Sequence, residues 1–244
     1  WMLIICVIFQ IYYTLSGYSD MARGIGGIFG LDLPENFHYP LQSESVTDFF
    51  SRFNISANRF VRKYVYGALG AEDNGPFPTT LNIMLITMLM GLWYGVRLNY
   101  LVWGASLGVF IVMETVWGER VFDRLPARLR RLYPLGVIVV SFAWYASLSI
   151  SQGVFYLQTM FGLRTVDLLR KLGGNTTYAL AWNDQSLYLL AQNWLLLAAC
   201  ALLCTSLVYR NARRLRLRFP RLTEIGSFLT NILLLGLSLA FMVS

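Results

Sequence analysis

Charge is scarce in this chain. Only 14% of its 244 residues are Asp, Glu, Lys or Arg, 56% are hydrophobic, and the mean hydropathy is +0.52. Soluble domains carry about a quarter charged residues, so this composition excludes an ordinary water-soluble fold. Metal ligands are equally sparse, with one histidine and three cysteines. Cys6, Cys200 and Cys204 lie in apolar stretches, where a thiol packs as a small hydrophobe. Cys200 and Cys204 share a helix face at i,i+4, but no histidine or carboxylate joins them, which falls short of the ligand set of a structural metal site. No metal is expected. The first apolar stretch lacks the basic flank and small-residue cleavage site of a signal peptide. It opens on Trp1 without an initiator Met, so the expectation is the C-terminal portion of a larger protein, with the N-terminal half of the same protein as a partner.

What is abundant is length of apolar run. A bilayer helix needs about 20 mostly apolar residues. One truncated stretch, Trp1–Ser16, and five complete ones answer this: Thr79–Val96, Leu98–Trp117, Pro134–Leu157, Ser186–Tyr209 and Thr223–Ser244. The reading is an all-α integral membrane protein, a multi-span helical bundle whose first partner is the lipid bilayer. Residues 1–244 form a single transmembrane domain, with 17–78 as a re-entrant or interfacial motif region and 79–244 as spans.

The net charge of +7 sits in loops, not on a nucleic-acid-binding face. Gly118–Tyr133 carries Arg120, Arg124, Arg128, Arg130 and Arg131, and Arg210–Arg221 carries six more arginines. The positive-inside rule makes both cytoplasmic, and the two spans between them agree. The Phe161–Gln185 loop then lies outside. Intramembrane charge marks the pathway of a transporter or channel, and the last three stretches contain almost none, which counts against that class.

Between the first two stretches lies the least helix-like region, Ser16 to Pro78. Its run Gly24-Ile25-Gly26-Gly27-Ile28-Phe29-Gly30 follows no predicted strand and lacks the Lys-Ser/Thr ending of a phosphate-cradling loop. It reads instead as close helix packing or a buried re-entrant turn. From Ser43 to Leu69 the pattern is short and amphipathic, with Phe49, Phe50, Phe53, Phe60, Val61, Tyr64 and Val65 against Arg52, Arg59, Arg62 and Lys63, as in a helix lying at the interface or under a bundle.

Several motifs in this region occur in a fixed order. Ser16-Gly17-Tyr18-Ser19-Asp20-Met21-Ala22 precedes Gly30 and Pro34-Glu35-Asn36-Phe37. Then come Phe49-Phe50-Ser51-Arg52-Phe53-Asn54-Ile55-Ser56, Phe60-Val61-Arg62-Lys63-Tyr64-Val65-Tyr66 and Gly91-Leu92-Trp93-Tyr94-Gly95. Over roughly the first 120 residues this resembles the bacterial membrane-bound O-acyltransferase family, in the group of alginate O-acetyltransferase and the D-alanyl transfer protein of teichoic acid synthesis. The resemblance implies two site histidines, at the positions held here by Asn54 and Tyr94. It also implies a substrate-binding set of Trp93, Arg52, Ser56, Asp20 and Asn36, and a bacterial inner-membrane location.

Moving an acyl group from a thioester to an alcohol requires a base for the hydroxyl proton, and an imidazole with a pKa near 6.5 suits that role. A phenol is a donor at neutral pH, and an amide exchanges no proton. The leading expectation is therefore a catalytically degenerate homologue, a pseudoenzyme serving as scaffold or partner of other envelope proteins, with no cofactor. The alternative is an active O-acyltransferase that draws an acetyl-like group from a cytoplasmic thioester, acetyl-CoA or an acyl carrier, and passes it to a hydroxyl of a cell-surface polysaccharide or lipid. Asp20, Glu35 and Asp48 are the carboxylates near the motifs. His38, the only histidine, reads as a hydrogen-bonded structural residue beside two aromatics.

Overall fold

A computed structural model describes residues 1–66, 76–121, 126–163 and 184–219, together with positions 226, 229, 230 and 232. Among these the chain is mostly helical, and its strand pairing is a single antiparallel bridge, Phe37 with Phe53. The expected span Thr223–Ser244 and most of the Phe161–Gln185 loop lie outside the described residues. The chain divides into two units, 1–195 and 196–244.

In the first unit, α1 runs unbroken over Met2–Ile28. This corrects the expectation of a non-helical region from Ser16 and of a re-entrant turn at the glycines. Each glycine costs a helix only about 1 kcal/mol, which a long apolar helix absorbs. The helix stops instead at Gly30, whose φ of +73° suits a residue without a Cβ. There Leu31 N–H donates to the Gly26 carbonyl at 2.9 Å and Gly30 N–H to that of Gly27 at 3.1 Å, the paired bonds that close a helix C-terminus.

After an extended stretch come a 3-10 turn over Pro40–Gln42, α2 (Val46–Arg52), α3 (Ile55–Phe60) and a π-helical turn, Val61–Tyr66. These are the short helices expected under the bundle. Ser45 caps α2, its hydroxyl accepting from Asp48 N–H at 2.9 Å. Helices α4 (Pro76–Tyr94) and α5 (Leu98–Val121) form a tight antiparallel pair. Glycines set their distance: a methyl on Gly91 would strike the Tyr100 carbonyl, and one on Gly104 the Thr87 carbonyl. Both helices thus use small residues where backbones touch.

The predicted span Pro134–Leu157 is broken into α6 (Ala127–Tyr145) and α7 (Ile150–Met160). Buried Asn99, at the start of α5, occupies the break and donates to the carbonyls of Ser147 at 2.7 Å and Trp144 at 3.4 Å. Such satisfaction is what allows a helix to break inside a membrane protein. Ser149 caps the new start. Helix α6 packs on α1 and α5.

Helix α8, Asp184–Leu203, crosses the unit boundary. In the second unit it gives way at Cys204 and Thr205 to α9, Ser206–Arg218, turned by 72°, so the expected span Ser186–Tyr209 is likewise broken. By length and apolarity α1 and Leu98–Val116 each suffice to cross a membrane, and α8 and α9 meet the same test only when the two bent helices are taken together. Helix α4 is apolar but shorter, over Thr79–Tyr94. One truncated and five complete spans were expected; Thr223–Ser244 lies outside the described residues, and breaks and short helices account for the rest of the difference.

Candidate functional site

The site is assembled on the Phe37–Phe53 bridge. Two backbone bonds hold it, His38 N–H to the Arg52 carbonyl at 3.0 Å and Ile55 N–H to the Asn36 carbonyl at 2.9 Å. On one side Phe37 and Phe53 meet edge to face at 5.0 Å, backed by Phe49 at 5.2 Å and by Tyr12 of α1 at 6.2 Å. Alternation across an extended pair sends the neighbouring residues to the other side. There Asn36 Nδ2 donates to Asn54 Oδ1 at 3.3 Å, and Asn36 Oδ1 accepts from Ser56 N–H at 2.8 Å and Ser56 Oγ at 2.9 Å. Asn54 has a left-handed backbone, φ 54° and ψ 57°, ahead of α3, a conformation to which Asn is well suited.

Tyr94 closes α4. Its ring lies edge-on to Trp103 of α5 at 5.4 Å and to Tyr145 of α6 at 5.8 Å, within a cluster that includes Tyr100 and Phe142. Its hydroxyl is buried and has no hydrogen bond of good geometry. The Asn54 side chain lies within reach of it. Residues on the short-helix segment and at the end of a distant helix therefore converge.

The other expected residues divide. Asn36, Ser56, Asn54 and Tyr94 are brought together. Arg52 is adjacent, but its guanidinium is engaged by Asp48 at 2.7 Å. Trp93 points away, 75% exposed, because successive helix residues differ by about 100° in direction. Asp20 is also apart, exposed on α1 and paired with Arg23 at 3.3 Å.

Two features escaped the sequence reading. One is the aromatic wall of Trp103, Phe142 and Tyr145, which in sequence is indistinguishable from lipid-facing apolar residues. The other is Glu114 of α5, whose carboxylate accepts from Val46 N–H (2.6 Å), Thr47 N–H (2.8 Å) and Thr47 Oγ1 (2.6 Å). It pins the start of α2, and with it the site segment, to α5. A lone carboxylate in an apolar run was the available signal. Glu44 adds a second tie, at 2.8 Å to Arg130 and 3.3 Å to Arg131 of α6.

Chemically, Asn54 and Tyr94 can orient a polar group but cannot take a proton at neutral pH. The nearest imidazole along the chain is His38, one residue beyond the bridge, with Nδ1 3.2 Å from Glu35 Oε2. Among the described residues no group of histidines, cysteines and carboxylates is arranged to hold a metal ion.

Residues 1–157 match the model of MBOAT, the membrane-bound O-acyltransferase family. The chain is 32% identical over 168 residues to the probable alginate O-acetylase AlgI of Pseudomonas aeruginosa, covering 69% of this chain and 32% of that protein. It is 29% identical over 171 residues to the peptidoglycan O-acetyltransferase of Helicobacter pylori, again 69% and 32%. With the teichoic acid D-alanyltransferase of Bacillus subtilis it shares 29% identity over 101 residues, 38% of this chain and 26% of the other. The matched region spans about a third of the length of the first two relatives. With the family model covering most of the chain, and with a helical, apolar architecture to match, this is a chain of the membrane-bound O-acyltransferase family.

Proposed function

We propose that this chain carries the site of an O-acyltransferase that moves an acetyl-like group from a thioester to a hydroxyl of an envelope polysaccharide or lipid, in the bacterial inner membrane. The convergence of Asn54 with Tyr94 carries this reading, and the named activities of the relatives support it. In the reaction the acceptor oxygen attacks the thioester carbonyl, the C–O bond forms as the C–S bond breaks, and the thiolate leaves. The hydroxyl proton has to be taken as the oxygen attacks. The Asn36–Asn54–Ser56 network and the Tyr94 hydroxyl supply hydrogen bonds to hold the acceptor. His38, oriented by Glu35, supplies the imidazole.

A second reading is favoured by one observation: the two converging side chains include no base. On that reading the chain is a degenerate homologue that keeps the architecture and serves as a scaffold for envelope partners. Purified full-length protein given an acetyl thioester and a polysaccharide acceptor separates the two. Acetyl transfer or thioester loss well above a protein-free blank is expected on the first reading, and a rate equal to the blank establishes the second.

A further inference from the structure

Helix α9 carries two opposed rows. Val208, Ala212 and Leu215 recur at spacings of four and three, which places them on one side of a 3.6-residue helix. Arg210, Arg214 and Arg218 run four apart along the other side with Arg213 beside them. All seven residues are exposed. None of the four arginines has an acidic partner among the described residues.

The membrane's place relative to this helix follows from α8. Its 20 residues reach about 30 Å, already the thickness of the hydrocarbon core, and its own large apolar residues Leu195, Leu196, Leu202 and Leu203 are exposed, as lipid-facing residues are. Helix α9 therefore begins where the core ends. The 72° turn at Cys204 and Thr205 sends it sideways, not onward into solvent. The turn is a built feature: Cys204 is buried, and Thr205 N–H and Oγ1 both donate to the Leu202 carbonyl, at 3.0 and 2.6 Å.

We propose that α9 lies in the membrane surface on the arginine-rich side, its apolar row at the acyl boundary and its arginines on the phosphodiesters of anionic lipids. A guanidinium fork matches a phosphate bidentately, and a basic amphipathic helix binds in the plane of the interface, apolar side down. Each arginine near an anionic surface is worth roughly fivefold in binding. This role is independent of whether the acyltransferase site turns over.

The test uses the full-length protein, with its own cysteines replaced, in vesicles of phosphatidylcholine containing phosphatidylglycerol as the minor component. A spin label at Leu215 is expected to collide with oxygen and not with a water-soluble nickel chelate, and one at Arg213 to show the reverse. Spin-labelled phosphatidylglycerol should bind the protein several-fold better than spin-labelled phosphatidylcholine, and added salt should weaken that preference. Arg210→Gln with Arg213→Gln and Arg214→Gln should bring the two lipids close to parity. Equal nickel access at both labels, or a wild type without lipid preference at low salt, overturns the proposal.

Discussion

Asn54, Asn36 and Tyr94 bear different burdens. Asn36 bonds both Asn54 and Ser56, so Asn36→Ala should release Asn54 and hand the exposed Ser56 N–H to water, costing about 0.5–1.5 kcal/mol, as a lower unfolding midpoint in detergent would show. Replacing Asn54 and Tyr94 together by His should leave folding nearly intact, since imidazole is smaller than phenol. If a base is what the site lacks, thioester-to-acceptor transfer should rise by about 10² to 10⁴, read as acetylated product per unit time. A wild type already as fast as the double variant would mean that His38 serves, and His38→Asn should then lower the rate by a similar factor. At this scale the sequence was informative about which motif residues meet, because Asn54 and Tyr94 lie in ordered motifs. It was silent on Tyr145 and Trp103, whose selection depends on how α5 and α6 pack. It did not show that Trp93 and Asp20 sit apart from that pair, for a motif neighbour on a helix shares the motif without sharing its face.

Helices α4 and α5 depend on missing side chains. Gly104→Val would drive two methyl groups into the Thr87 backbone of α4, where no flexible side chain can yield. Overpacking of this kind costs typically 1–3 kcal/mol. The expected result is a lower thermal midpoint, whereas the same change at Gly136, which has open space around it, should be far milder. Glu114→Gln should be more informative than Glu114→Ala. The amide retains one acceptor oxygen for the two α2 amides, while Ala leaves both without a partner, so labelling rates of a cysteine placed at Ser51 should rise more for Ala. Helix existence was legible from apolar run length; helix breaks were not. Those at 146–149 and 204–205 depend on Asn99 and on local caps, and neither reads as punctuation inside an apolar stretch.

Across the chain, arginine placement predicts that Gly118–Tyr133 and Arg210–Arg221 share one side of the membrane. Single cysteines in the two segments should react with an impermeant maleimide from the same side only, and reaction from opposite sides would refute the topology. Family and helical class were legible because many short motifs kept their order. The number of spans was not, since hydropathy measures apolar length and cannot see a bend. The carboxylate of Glu114 has a consequence for how the protein is made. Its ligands, the amides of Val46 and Thr47, lie 68 and 67 positions earlier, so they leave the ribosome first and are waiting when α5 enters the membrane. A carboxylate entering hydrocarbon unaccompanied is disfavoured by up to about 3 kcal/mol at mid-depth. Biogenesis of α5 is thus contingent on a segment already synthesised, and shortening the chain from its N-terminal side past Thr47 should lower the yield of correctly inserted α5 even though no residue of that helix has changed.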